Sequence, residues 1–425
     1  MNLNEPARQL PIQADSDILI AGGGPAGIAA AIASARAGAR TTLIEVGGCL
    51  GGVWTSGLLS YILDPHGKTG LLPEIIARLD SLHAGASSRD QSPPVPWTQG
   101  AVMYDAELMK IAIEGLCEEA DVRIRLHTRV VAVTLDGNRI THVVTESKSG
   151  REAWPAAQFI DCTGDGDLSA LAGCTWEYGR SSDAKGQPLT LMCLLGGVPL
   201  DAMRPYLFGG PGKEWDQPIK AFAAELSRAG FSPSYSAPMC IPIHDGLYAM
   251  MANHEYGASG FDADGVSRAT LHARRELYDL VTALNKLGGH WSSLRLVTTA
   301  AQIAVRESRR PRGVYQVTRE DVIAGQKHED AVCRVTFPVD VHSLDPEEGK
   351  GFDNQGVKSQ PYDVPFRALV SAERENLLFA GRCISGDFVA HASYRVTGNA
   401  VPMGEAAGRE AARRVLASCD KGVSQ

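Results

Sequence analysis

Asp17-Ile-Leu-Ile-Ala21, followed at once by Gly22-Gly-Gly24-Pro25-Ala26-Gly27, decides the fold. The apolar run reads as a short buried strand, and the Ala-rich stretch Ile28 to Ala37 reads as a helix closed by Gly38. Thr41-Thr-Leu-Ile-Glu45 is the next strand. Together they make a βαβ unit with the compact spacing of a dinucleotide-binding fold. A lone G-x-G-x-x-G carries little weight. Here the strand before it, the helix after it and an acid, Glu45, 21 residues beyond Gly24 are all present. Gly22 permits the tight turn, Gly24 lets backbone approach a pyrophosphate, and Gly27 lets the helix pack close to the strand. The helix then turns its positive N-terminus, with Pro25 and Ala26, toward the phosphates. Glu45 is placed to accept hydrogen bonds from ribose hydroxyls. The competing reading, a structural glycine turn beside an exposed glutamate, leaves this register unexplained.

Beyond Glu45, Gly47 to Gly52 forms a second glycine patch, and the chain reads as irregular to about Gly100. The cluster Pro93, Pro94 and Pro96 marks a loop or lid. Asp105 to Ala120 is patterned as an amphipathic helix. Arg123 to His127, Arg129 to Leu135, Ile140 to Glu146 and Ala157 to Asp161 read as strands, and a turn follows at Thr163-Gly164-Asp165-Gly166-Asp167. Cys174 to about Ala300 is mixed and punctuated by Gly and Pro, with a long helix at Ser267 to Leu287. Asn376-Leu-Leu-Phe-Ala-Gly381 reads again as strand and turn, and Val401 to Ser418 as a closing helix. The expectation is an α/β chain: one discontinuous Rossmann-like domain, residues 1–173 and 301–425, with an α+β substrate domain inserted at 174–300. No second nucleotide unit is visible, since Phe208-Gly-Gly-Pro-Gly212 lacks a flanking strand and helix.

The 425 residues carry 41 Lys+Arg against 49 Asp+Glu, a net charge of −8, which argues against a nucleic-acid partner. Nine cysteines contain no C-x-x-C pair, which argues against zinc ribbons and iron–sulfur runs; the odd count reads as a reduced, cytoplasmic chain. The uncharged run Ile18 to Ala35 is broken by Gly22–Pro25, so no membrane span is expected. Glycine is in excess at 45 residues, which suggests backbone held close to something.

Several patches together resemble the FAD-dependent oxidoreductases of the glutathione-reductase-like superfamily, and more closely the bacterial FAD-dependent oxidoreductases of about this length. They are the opening Asp17–Gly27, the patch Gly47–Gly52 and Phe159-Ile-Asp-Cys-Thr-Gly-Asp-Gly-Asp-Leu168. Val305-Arg-Glu-Ser-Arg-Arg310, Phe337-Pro-Val-Asp-Val-His342, Phe379-Ala-Gly-Arg-Cys-Ile-Ser385 and the run from Arg395 to Gly408 complete the set. The resemblance implies FAD, with its ADP half on Gly22, Gly24, Pro25, Ala26, Gly27 and Glu45 and with Val131 near the adenine. It implies a flavin ring against Gly51 and Gly52. Thr163, Gly164, Asp165, Gly381 and Arg382 belong to its flavin-side turns, and Gly398, Asn399 and Ala400 to a closing helix aimed at the ring. Two positions depart from the family pattern: Glu405, where Gln is commoner, and Asp387; either reads as a surface change, and Asp387 alternatively as a ligand of the ribityl hydroxyls.

Flavin oxidation of an alcohol or amine needs hydride transfer to N5 and a base for the other proton. His391 is read as that base, against a role in bonding backbone near the cofactor. Arg395 is read as holding a substrate carboxylate or carbonyl, or the flavin itself. Arg306, Glu307, Arg309 and Arg310 form a run that is ordinarily solvated, but beside the apolar stretch Ala300 to Val305 at least one Arg–Glu pair reads as structural, with Glu307 assigned to structure and Arg306 kept as an inward-turned anion binder. His342 is read as facing the pocket or satisfied in the core. His66 and Cys49 could tether flavin, but no covalent bond is expected. No histidine–carboxylate set has metal spacing. The expected function is FAD-dependent hydride transfer from a small polar organic molecule. The alternatives are an NAD(P)H-using monooxygenase or ene-type reductase, and a flavin-bearing subunit of a complex. The electron acceptor and any homo-oligomer stay open at this stage.

Overall fold

The computed structural model describes residues 3, 6–14, 16–82, 87–91, 98–210 and 214–422. Strand β1 (Ser16–Ala21) leads through helix α1 (Pro25–Arg36) to strand β2 (Thr41–Ile44). Ile18, Leu19 and Ile20 are wholly buried, as a central parallel strand covered on both faces requires. Helices α2 (Leu71–Leu82) and α3 (Ala106–Glu119) follow. Then come β3 (Arg123–Arg125), β4 (Arg129–Asp136), β5 (Arg139–Ser147) and β6 (Gly150–Asp161). The last part of β6 runs parallel to β1, with Ala21 opposite Asp161. Its first part runs antiparallel to β5, which pairs with β4. β6 is therefore longer than the sequence pattern suggests. Pro155 marks the changeover between its two sets of partners, where a missing N–H is tolerated.

A second layer is built on β7 (Cys193–Gly196), β8 (Met239–His244), β9 (Leu247–Met251) and β10 (Arg295–Thr299). They form an antiparallel sheet in the order β8-β9-β7-β10. Helix α4 (Ala263–Lys286) buries Leu277, Leu280 and Leu284 in this layer's core. Its start, earlier than the pattern predicts, is capped by Asp262, which accepts from Asp264 N at 3.1 Å. This core also draws Leu58, Tyr61, Ala101 and Met103 from the chain before residue 174.

The chain returns to the first layer with β11 (Leu377–Phe379), which pairs in parallel with β6, so the parallel order is β3-β2-β1-β6-β11. Helices α5 (Phe388–Tyr394) and α6 (Thr397–Gly422) close the fold. Helix α6 lies directly on α1. A Cβ at Gly404 would stand 2.0 Å from the Ala26 carbonyl oxygen, so only glycine permits this approach.

One sequence expectation changes. Helix α2 lies in the stretch read as irregular: Gly70 and Pro73 look like loop punctuation, yet proline in a first helical turn loses no hydrogen bond. The charged run holds a structural Arg–Glu pair as expected: Arg306, Glu307 and Arg310 are buried, and Glu307 pairs with Arg310. Pro93, Pro94 and Pro96 lie outside the described residues. No described helix is long and apolar enough to cross a membrane.

Candidate active site

The glycine turn forms one end of a cavity of about 650 Å³. Gly22 takes φ +98°, left-handed backbone that favours glycine, and its N–H donates to Ile44 O at 2.8 Å. A Cβ at Gly27 would lie 1.8 Å from Gly22 O, so α1 can start here only on glycine. Gly22, Gly24, Pro25 and Ala26 line the cavity with the N-terminus of α1. Glu45 stands beside them. Its carboxylate accepts from Gly23 N and Gly47 N, both at 2.6 Å, and so ties the two glycine patches together. Gly51 N adds a bond to Gly23 O at 2.8 Å. Glu45→Gln would turn an amide N–H₂ toward one of those donors. A buried donor left unmatched costs about 1–3 kcal/mol, or about ten- to a hundredfold in binding. That loss is expected in a fluorescence titration of the apoprotein with FAD.

The turn after β6 forms the floor. Asp161 is fully buried and accepts from Thr163 N, Thr163 Oγ1, Ser169 N and Ser169 Oγ at 2.6–3.1 Å. This fixes Thr163, Gly164 and Asp165 along the wall. Arg382 Nη2 donates to Asp165 Oδ1 at 2.6 Å, so the segment after β11 is locked to the same turn. Gly381, Arg382, Arg395, Thr397 and Ala400 complete this side. The second layer and the chain beside it add Phe261, Ser267, Thr270 and Gln302 to the wall, and Arg309 joins the floor by donating to Asp165 O at 3.0 Å and to Asp167 Oδ1 at 2.9 Å.

The structure separates the expected site residues into two groups. Gly22, Gly24, Pro25, Ala26, Glu45, Gly52, Thr163, Gly164, Asp165, Gly381, Arg382, Arg395 and Ala400 share the cavity wall. Gly27, Gly51, Gly398 and Asn399 stand behind it, and Gly398 N donates to Leu63 O at 3.0 Å. Val131 is displaced from the wall, where Thr128, Arg129 and Val130 are found instead; β4 has a register irregularity between Val130 and Ala132. Asp387 is the N-cap of α5, accepting from Ala390 N at 2.7 Å and Arg319 N at 2.6 Å, and does not reach the cavity. Glu405 accepts from Leu71 N at 2.9 Å and so caps α2 rather than meeting a cofactor.

The basic residues change most. His391 is wholly buried behind the wall, and neither ring nitrogen has a partner among the described residues. Burial, then Arg310, Arg395 and Arg382, hold its imidazole well below the ordinary value and therefore neutral. Arg306 also stands behind the wall, donating to Pro188 O and Thr190 Oγ1, both at 2.7 Å. His342 is buried and bonded to His254 and Asp340. Asp340 was not anticipated from the sequence, although its i,i+2 spacing to His342 in an apolar stretch was a usable signal. Glu255, His272 and Glu276 approach one another as metal ligands might among the described residues, but Ser234 already occupies both oxygens of Glu276.

The wall suits FAD. A Cβ at Gly24 would meet nothing within 4 Å, so the protein itself leaves that space open beside the helix N-terminus. Arg382 Nε and Thr397 Oγ1 are buried polar atoms on wall residues with no partner among the described residues. Such atoms call for a polar ligand. A family model described as FAD dependent oxidoreductase matches residues 17–421.

The chain belongs to the FAD dependent oxidoreductase family.

FAD is the cofactor of this oxidoreductase. Among solved structures it is similar to BexE, studied for oxidation during BE-7585A biosynthesis. The TM-score is 0.50 at 13% identity, over 95% of this chain and 63% of that one. The myxobacterial chondrochloren halogenase CndH gives 0.49 at 14%, over 96% and 76%. A geranylgeranyl bacteriochlorophyll reductase-like protein from Thermoplasma acidophilum gives 0.47 at 12%, over 96% and 79%. At 13% identity the likeness to BexE is one of fold alone.

Proposed function

We propose that this oxidoreductase removes a hydride from a small polar organic molecule. The observation that carries the reading is the make-up of the wall. It joins the glycine cradle at one end to Arg309, Arg382, Arg395, Thr397, Gln302, Ser267 and Thr270 at the other. Bound FAD supplies the two-electron acceptor. Gly22, Gly24, Pro25, Ala26 and Glu45 would hold its ADP half, and Gly52, Thr163, Gly164, Gly381, Arg382 and Ala400 its flavin end. The second layer, close to the expected insertion at 174–300, supplies further residues of the cavity wall. Arg395 orients the substrate by charge. His391 and His342 lie behind the wall, so neither meets substrate directly; His342 acts on Arg395 through Asp340.

The test is an anaerobic screen of alcohols, amines and hydroxy acids against the FAD-loaded protein. At least one organic substrate is expected to bleach the visible flavin band, with NADPH inert alone. Rapid bleaching by NADPH, with every organic candidate inert, would overturn the reading in favour of an NAD(P)H-driven enzyme.

A further inference from the structure

A buried polar chain runs away from the cavity behind Arg395. Arg395 Nη2 donates to the Asp340 backbone carbonyl at 3.0 Å and to its Oδ2 at 2.9 Å. His342 Nε2 lies 3.2 Å from the same Oδ2, and His342 Nδ1 lies 2.9 Å from His254 Nε2. His254 Nδ1 lies 3.2 Å from the Tyr256 hydroxyl. An ionised carboxylate only accepts, so His342 carries its proton on Nε2 and accepts at Nδ1. His254 then donates from Nε2, and its Nδ1 competes with the Ser234 carbonyl for the one Tyr256 hydroxyl proton. Tyr235 packs on both rings, with centroids 4.2 Å and 5.5 Å away.

The charges in this cluster do not cancel. Arg306 is buried, and its donors reach only a carbonyl, a hydroxyl and the Met251 sulfur. It has no carboxylate partner among the described residues. Glu307 pairs with Arg310, and Asp165 with Arg382. Burial, then Arg306, pushes His342 down to about 4, so it is neutral; burial first also pushes His254 down. That leaves Arg306 and Arg395 against Asp340 alone, one positive charge in excess. Burial, then Arg395, lowers Arg306 to about 10. A buried charge without a counter-charge is costly, and an anion at the wall would relieve it. Arg395 is the member of the cluster that lines the cavity, and its Nε has no partner among the described residues.

We propose that Arg395 binds a carboxylate of the substrate, and that Asp340, His342 and His254 are positioning residues that hold its guanidinium at the cavity wall. This names the substrate class within the proposed hydride reaction and rests on that reading. Arginine at such a place makes a charge-assisted bond that a neutral donor cannot match.

The experiment titrates FAD-loaded protein with acetate, pyruvate and acetamide at constant ionic strength, following the visible flavin spectrum. Acetate and pyruvate are expected to perturb it saturably, and acetamide is not. Arg395→Gln keeps a donor to Asp340 but removes the charge. It is expected to weaken pyruvate binding by about tenfold or more with FAD content unchanged. His342→Gln is expected to weaken it several-fold, again with FAD retained, whereas a merely structural histidine would lower only the melting temperature. Equal pyruvate affinity in wild type and Arg395→Gln would overturn the proposal, as would acetamide binding as well as acetate. Should Arg395→Gln not retain FAD, unchanged pyruvate affinity in His342→Gln overturns the positioning role. An Arg395-dependent carboxylate site in a chain that no organic substrate reduces would overturn the hydride reaction and leave this site standing. Undiminished reduction of Arg395→Gln by an uncharged substrate would do the reverse.

Discussion

Gly27→Ala is expected to yield a destabilised chain that retains no FAD. The added methyl would lie 1.8 Å from Gly22 O and 3.2 Å from Cys162 Cβ. The first of these atoms is backbone and cannot rotate away. Gly22 is itself held in place, because its N–H donates to Ile44 O at 2.8 Å. Overpacking of this kind costs about 1–3 kcal/mol or more, and here the displaced atoms are those that line the cavity. Gly24→Leu is the contrasting case. Its side chain enters open space, so stability should change by less than about 0.5 kcal/mol while FAD is excluded. Denaturant midpoints of the apoproteins and the ratio of visible to ultraviolet absorbance separate the two effects. Equal stability in Gly27→Ala and wild type would contradict the steric reasoning.

Arg310→Met is expected to cost about 3–5 kcal/mol, the usual penalty for removing one partner of a buried ion pair. Glu307 is 1% exposed and accepts from Gly179 N at 2.8 Å and Gln187 N at 3.1 Å besides Arg310. Burial already pushes its carboxyl upward, and Arg310 is the first of the groups opposing that. Arg310 also donates to Gly386 O and Gly179 O, which joins the charged run to the segment before α5. Adding Glu307→Gln to Arg310→Met should recover part of the loss: no buried charge is then left alone, but the amide N–H₂ leaves Gly179 N or Gln187 N unmatched. Urea unfolding of the single and double variants measures both. A single-variant loss below about 1 kcal/mol would show that the pair is better hydrated than its burial implies.

The βαβ opening was legible because its signals are local. Apolar β1, the glycine spacing and Glu45 lie within thirty residues of one another, and each has one physical use. Arg382, Thr163 and Asp165 were reached through the family resemblance, and they do share the cavity wall. Helix α2 was hidden by Gly70 and Pro73, which serve equally in loops and at helix starts. Asp387 carried a readable capping signal, an acid just ahead of a helix, which the expected cofactor role obscured. Val131 was lost to a strand irregularity, which moves side chains without leaving a mark in the sequence. His391 was read as reaching the substrate side but is buried behind the wall, a matter of helix rotation that single-sequence reading does not resolve. The bond between His254 and His342 joins residues 88 apart. Only the packing of the second layer against the first brings them together, so the charge excess around Arg395 was invisible until the fold was known.

The most direct measurement is a calorimetric titration of FAD into the apoprotein, run on wild type and Gly24→Leu. The expected result is saturable uptake of a single FAD per chain by wild type and none by Gly24→Leu, with both chains equally stable to urea. No uptake by wild type, or uptake by Gly24→Leu with wild-type affinity, would contradict the placement of FAD in this cavity.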